Sequence, residues 1–171
     1  MDPTKQTDWT WYQTRILDHE LNVAAMMIAN RLFPAGFDVA EDAPDTYEKL
    51  KALFESGKRY VVYSGGSDRT IFGDPEVNFH FRAWHDWCHW KGAHEFTVRG
   101  EYDTFRMQHC HLVAIYGDNA MTKRWRRILF ADIVGQKLHE KRTGQFPEDQ
   151  FSFVKACLEG GIHGASFGVP R

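Results

Sequence analysis

Along most of the chain apolar residues recur every three or four positions, the spacing that lays one face of an α-helix against a core. Leu17, Leu21, Ala24, Ile28 and Leu32 predict a long helix from Trp9 to about Leu32, ended by Pro34-Ala35-Gly36. Tyr47, Leu50 and Leu53 predict a shorter helix from Pro44 to about Ser56, with Gly57 as its stop. Arg59-Tyr60-Val61-Val62-Tyr63 has strand composition, and Ser64-Gly65-Gly66-Ser67-Asp68 reads as a turn without the Gly-Lys-Ser ending of a P-loop. His94–Arg99 reads as extended, and helices are predicted from about Glu101 to Tyr116, from about Asn119 to Arg142, and from Pro147 to about Leu158. Gly160-Gly161 closes the last of these. The fold class is therefore mainly α: a single-domain helical bundle of four long and two shorter helices over residues 1–171, with a minor strand pair near Tyr60 to Tyr63. Residues 1–8 and 160–171 are expected to be loosely ordered.

One helix stands out. Asp74 is a good N-cap, Pro75 suits the first helical position, and the run continues to Trp90. At ~100° per residue, Val77, Phe81, Trp84, Trp87 and Cys88 form one apolar arc, and Phe79, Ala83 and Trp90 form a second. Between them runs a polar stripe of Asn78, Arg82, His85, Asp86 and His89. A solvated stripe is not normally framed by aromatics on both sides, so this one reads as a buried seam whose groups must be paired or bound to metal. His85 and His89 lie one turn apart, so both imidazoles can meet a single ion.

Other helices repeat the anomaly. Glu20 falls beside Leu17 and Ala24 on the apolar arc of the first helix, with His19 at its margin. Glu101 and Gln108 fall on the arc of Phe105 and Leu112, and Asp132, Gln136 and His139 fall on that of Trp125 and Ile128. Polar groups placed this way by several helices describe a site inside a bundle. Carboxylates and imidazoles are ligands for zinc, manganese and iron, and the expected divalent metal has His85, Asp86, His89, Glu101 and Asp132 as its ligand candidates. Glu20 stands in or beside that set. The competing account is a set of satisfied core pairs, such as Arg82 with Asp86.

Composition narrows the rest. Of 171 residues 43% are hydrophobic and 15% aromatic, which suits a globular chain. A net charge of −2 excludes a generally basic nucleic-acid binder. Lys123-Arg124-Trp125-Arg126-Arg127 fans around its helix as a solvated face, and in His109-Cys110-His111 adjacent side chains diverge, so that only His109 points toward Glu101. Three cysteines, without a C-x-x-C pair, point to a reducing compartment. The start of the chain lacks the marks of a signal peptide and no segment is long enough to span a bilayer, so a cytoplasmic protein is expected, with no membrane partner and a homo-oligomer left open.

The His85-Asp86 doublet and the later Asp132 resemble the HD-domain metal-dependent phosphohydrolases. That resemblance implies a divalent metal held by an early histidine, the His-Asp pair and a distant aspartate, activating water against a phosphoester. His85, Asp86 and Asp132 match, and His19 has the order of the early histidine. The Trp84-His85-Asp86-x-x-His89 helix and the Phe146-Pro147-x-Asp149-Gln150 segment also look like uncharacterised bacterial and bacteriophage proteins. The implied activity is hydrolysis of a phosphorylated small molecule, possibly a nucleotide, with Glu101 or Glu20 as proton acceptor and Arg82 offsetting phosphate charge. Two alternatives remain open. A ferritin-like di-iron carboxylate protein would use Glu20, Glu101 and the Asp86-x-x-His89 unit. A non-enzymatic interaction protein would use the seam only to fix helix register.

Overall fold

The computed structural model describes residues 15–167. In chain order these form α1 (His19–Leu32), β1 (Asp38–Ala40), α2 (Tyr47–Glu55), β2 (Val61–Tyr63), α3 (Pro75–Gly92), α4 (Val98–Tyr116), α5 (Ala120–Leu129), a π-helical segment (Phe130–Gly135), α6 (Gln136–Thr143) and α7 (Gln150–Phe167). The chain is mainly α, as its periodicities predict, and the strand pair is parallel with Val39 opposite Val62. Because its strands are parallel, the pair needs α2 as a crossover. No described helix is long and apolar enough to cross a membrane.

Helix α3 lies between two cores. The Asp74 carboxylate accepts from the Glu76 N–H at 2.8 Å and Pro75 opens the helix, as the sequence predicts. Phe81, Trp84 and Cys88 enter the larger core with Leu21 and Ala24 of α1, Phe105 and Leu112 of α4, Trp125 and Leu129 of α5, and Val154 of α7. On the other flank Ala83 joins Leu50, Tyr60 and Val62, with Phe54, Phe79 and Trp90 packed against them. Burying a Phe or Leu here contributes roughly 1.5–3 kcal/mol, so both arcs hold the helix in register. The polar stripe between them is consequently interior.

The turn from α3 to α4 is tightly built. Ala93 has φ 52°, the single positive φ among described non-glycine residues. Its left-handed geometry lets the His94 N–H reach back to the His89 carbonyl at 2.9 Å, closing the helix. His94–Arg99 is not extended, contrary to expectation. Thr97 accepts from the Gly100 N–H through its side chain at 3.1 Å, and this cap starts α4 at Val98 in spite of the β-branched residues there.

The first helix is shorter than predicted. Trp9 to Thr14 fall outside the described residues, and Asp18 is extended, its carboxylate capping the Leu21 N–H at 3.0 Å. Leu17 precedes the helix and donates its N–H to the Ile71 carbonyl at 2.9 Å, so its match to the helical period has a tertiary cause.

The predicted helix from Asn119 to Arg142 is present but not regular. An Asn119–Thr122 capping box starts it, and Phe130–Gly135 is a π-helical segment in which Ala131 to Gly135 are all buried. That segment packs on α4, α5, α6 and α7. α7 leaves helical geometry at Gly161, where φ is 76° and ψ 167°, as the glycine pair predicts. The chain then continues helically to Phe167, with Ile162 and Ala165 packed on the core. Residues 1–8 and 168–171 lie outside the described part.

Candidate metal centre

His85 and His89 project from the same side of α3, and Glu101 reaches them from the first turn of α4. The two Nε2 atoms are 3.0 Å apart. Glu101 Oε2 lies 3.1 Å from that of His85 and 3.3 Å from that of His89. The second nitrogen of each ring fixes what the first presents. His89 Nδ1 donates to the His94 carbonyl at 2.8 Å, the carbonyl that the Ala93 turn folds back under the ring. His85 Nδ1 donates to Gln108 Oε1 at 3.0 Å. Both imidazoles therefore keep a proton on Nδ1 and turn Nε2 toward Glu101. Phe96 packs edge-on against His89, and His94 Nδ1 is 3.0 Å from Thr104 Oγ1, tying the supporting turn to α4.

Three electron-pair donors meeting at one point require a proton or a cation. A proton suffices: burial opposes a charged His85, but the hydrogen bond and charge of Glu101 outweigh it and push its pKa up to about 9. Burial would likewise raise Glu101, yet its bonds to the two histidines hold the carboxyl well below the usual range. His89 is fully buried, whereas His85 and Glu101 open on a cavity of about 400 Å³.

Other predicted residues fall in different places. Asp132, from the π-helical segment, lines the same cavity without joining the converging atoms. Its Oδ1 accepts from Gln136 Nε2 at 2.7 Å, and burial raises its pKa to about 7 against the pull of His85, Gln136 and Arg82. Asp86 is turned away by its position one residue on from His85 and accepts from the Tyr60 hydroxyl; burial raises its carboxyl above the ordinary value. Arg82 lines the cavity and spends three N–H groups on the loop after β2, donating to the carbonyls of Tyr63 (2.8 Å), Gly65 (2.6 Å) and Gly66 (3.3 Å). Glu20 does not reach the centre. The buried residues of α1 include Asn22, Ala25 and Ala29, which turn the inward face away from Glu20, and its exposed carboxylate pairs with Arg124 at 3.0 Å. His19 is exposed as well, so no early histidine accompanies the doublet.

Some contributors were not singled out in the sequence. Lys137 and Phe146 line the cavity, and Gln150 ties α7 to its rim by donating to the Gly66 carbonyl at 3.2 Å. Phe146 and Gln150 bound the Phe-Pro-x-Asp-Gln segment, which was the available signal. His111, in contrast, accepts from the buried Trp84 Nε1 at 3.0 Å and serves packing. A larger open groove of about 990 Å³ beside α4 and α6 contains no histidine or cysteine. Among the described residues, His85, His89 and Glu101 are the group of histidine, cysteine and acidic side chains placed to hold an ion. Comparison of the chain with models of protein families, with curated proteins and with solved structures finds no match.

Proposed function

We propose that the protein is a metal-dependent hydrolase of a phosphorylated small molecule, with His85, His89 and Glu101 as the ligands of one divalent ion. The observation that carries this reading is the convergence of the three donor atoms at separations of 3.0, 3.1 and 3.3 Å. Bonds of about 2.1 Å to one ion put neighbouring ligand atoms about 3.0 Å apart at octahedral angles and about 3.4 Å apart at tetrahedral ones. The site is thus already spaced for a cation, with one side open to the cavity. A metal bound there makes water a nucleophile at neutral pH and polarises a phosphoryl oxygen.

The protein's own groups support the phosphate side of the reading. Arg82 and Lys137 bring positive charge to the cavity wall, and Phe146 and Tyr63 supply aromatic surface. Arg82→Ala is expected to raise KM about tenfold or more, with a smaller fall in kcat. Arg82→Lys is not expected to rescue it, because the three carbonyls are held from two separate guanidinium nitrogens, a fork that one ammonium nitrogen does not reproduce. Steady-state kinetics on the two variants checks this.

Metal uptake should also release a proton. Below a His85 pKa of about 9 the metal-free centre is protonated. The ion must displace that proton, so affinity is expected to fall about tenfold per pH unit as pH drops from 9 towards 6. Calorimetry in buffers of different ionisation enthalpy reads the proton directly, and a pH-independent affinity would contradict the arrangement.

Elemental analysis of untagged protein, followed by a screen of nucleotides and phosphoesters with zinc, manganese or iron, tests the function. Less than about a tenth of an equivalent of metal, with no binding on titration, returns the seam to a purely structural role. A second reading has its own observation. Two histidines and one carboxylate are also the ligand set of mononuclear iron oxygenases, and oxygen consumption by the iron form without phosphate release would favour it. The di-iron alternative lacks support, since Glu20 lies on the surface and Asp132 is paired with Gln136.

A further inference from the structure

Resting on the hydrolase reading, we propose that Asp132 is not a ligand but the proton donor to the leaving oxygen. Three independent features of its setting support this. First, it lines the cavity that His85 and Glu101 open on, yet stays outside the group of converging ligand atoms. A substrate filling that cavity would have the ion and this carboxyl on the walls of the same space.

Second, it belongs to the π-helical segment Phe130–Gly135. Single π-helical turns inside α-helices carry an extra residue and recur at functional sites, because they redirect a side chain that regular geometry would turn elsewhere. Third, the amide of Gln136 fixes one oxygen, at 2.7 Å from Oδ1, and this bond orients the group without neutralising it. The charged groups facing the cavity are Arg82 and His85 of α3, Glu101 of α4 and Lys137 of α6, the last paired with Glu140 at 2.7 Å. Burial favours the protonated carboxyl in this company, and its pKa of about 7 leaves a proton available at neutral pH.

The step balances as follows. The water oxygen bonds to phosphorus, the P–O ester bond breaks with its electron pair on the leaving oxygen, and that oxygen takes the Asp132 proton. One water proton stays on the new phosphate, and the other returns to the Asp132 carboxylate.

The test compares Asp132→Asn with the wild type on 4-nitrophenyl phosphate, whose phenolate leaves unaided, and on an alkyl phosphate, whose alkoxide does not. Expected is a fall of about 10²–10³-fold in kcat/KM on the alkyl ester and less than tenfold on the aryl ester. Zinc affinity by calorimetry should stay within about threefold of wild type, whereas His85→Ala loses about a hundredfold or more. Asp132→Ala, which leaves room for a small acid, should regain alkyl-ester turnover with added formate. Equal loss on both esters, or loss of zinc binding in Asp132→Asn, overturns the assignment. Zinc binding without hydrolysis of either ester by the wild type brings down the hydrolase reading and the donor with it. Hydrolysis of both esters that Asp132→Asn leaves unchanged brings down the donor alone.

Discussion

His89→Ala is expected to abolish metal binding and to lower stability by about 2–4 kcal/mol. Both effects follow from the same position. The ring is fully buried, so its removal leaves an internal void beside Phe96. It also strips the His94 carbonyl of the Nδ1 donor at 2.8 Å, removing a part-buried hydrogen bond. With one of three donors gone, the remaining pair, His85 and Glu101, closes into a simple ion pair at 3.1 Å that has no need of a metal. His85→Ala should differ in an informative way. It too should lose the ion, but the ring faces the cavity, where water can fill the space, so the stability cost should be smaller. Zinc titration together with denaturant midpoints separates the two. Wild-type affinity in a folded His89→Ala would remove the centre from this place.

Much of this site was legible because α3 states its own geometry. Asp74-Pro75 fixes where the helix begins, and once the start is known the two apolar arcs can only face two cores. The seam between them then yields His85 and His89, and the arc of Phe105 and Leu112 yields Glu101. Asp86 shares the stripe of His85 and Asp132 the arc of Trp125 and Ile128, and both also match the His-Asp resemblance, but a neighbour one position on from His85 points ~100° away. Its carboxylate instead meets the Tyr60 hydroxyl across the second core, a contact that depends on where β2 lies. Glu20 falls outside for a simpler reason: an inward face drawn through Leu21, Ala24 and Ile28 omits Asn22, Ala25 and Ala29, whose burial turns that face away from Glu20.

What stayed hidden depends on long-range packing. The π-helical segment has no local signature in Phe130–Gly135; its five consecutive buried residues need walls on every side. Strand β1 is three residues of Asp-Val-Ala that acquire strand geometry only by pairing with β2. The start of α4 was within reach, since Thr97 is a sound N-cap, but Phe96, Thr97 and Val98 together favour a strand reading. Tertiary contact decided that competition. His94 is held against Thr104 of α4 itself.

That turn makes Gly100 the most exacting position near the centre, and Gly100→Ala is expected to cost about 3 kcal/mol or more. Inside an ordinary helix the same change stabilises by about 1 kcal/mol, so the predicted sign is reversed. A Cβ on Gly100 would stand 1.8 Å from the Glu95 carbonyl oxygen. That oxygen is backbone, and it is committed: it accepts from the Thr97 N–H at 2.8 Å, and Thr97 in turn caps the helix through the Gly100 N–H. Relief must move either the turn that carries His94 or the first turn of α4 that carries Glu101. The first choice loosens the carbonyl that orients His89, and the second pulls Oε2 away from both Nε2 atoms. Zinc affinity should therefore fall at least about tenfold together with stability. A Gly100→Ala protein with wild-type midpoint and wild-type zinc affinity would show that the close approach of Glu95 to α4 does not set the spacing of the three donors.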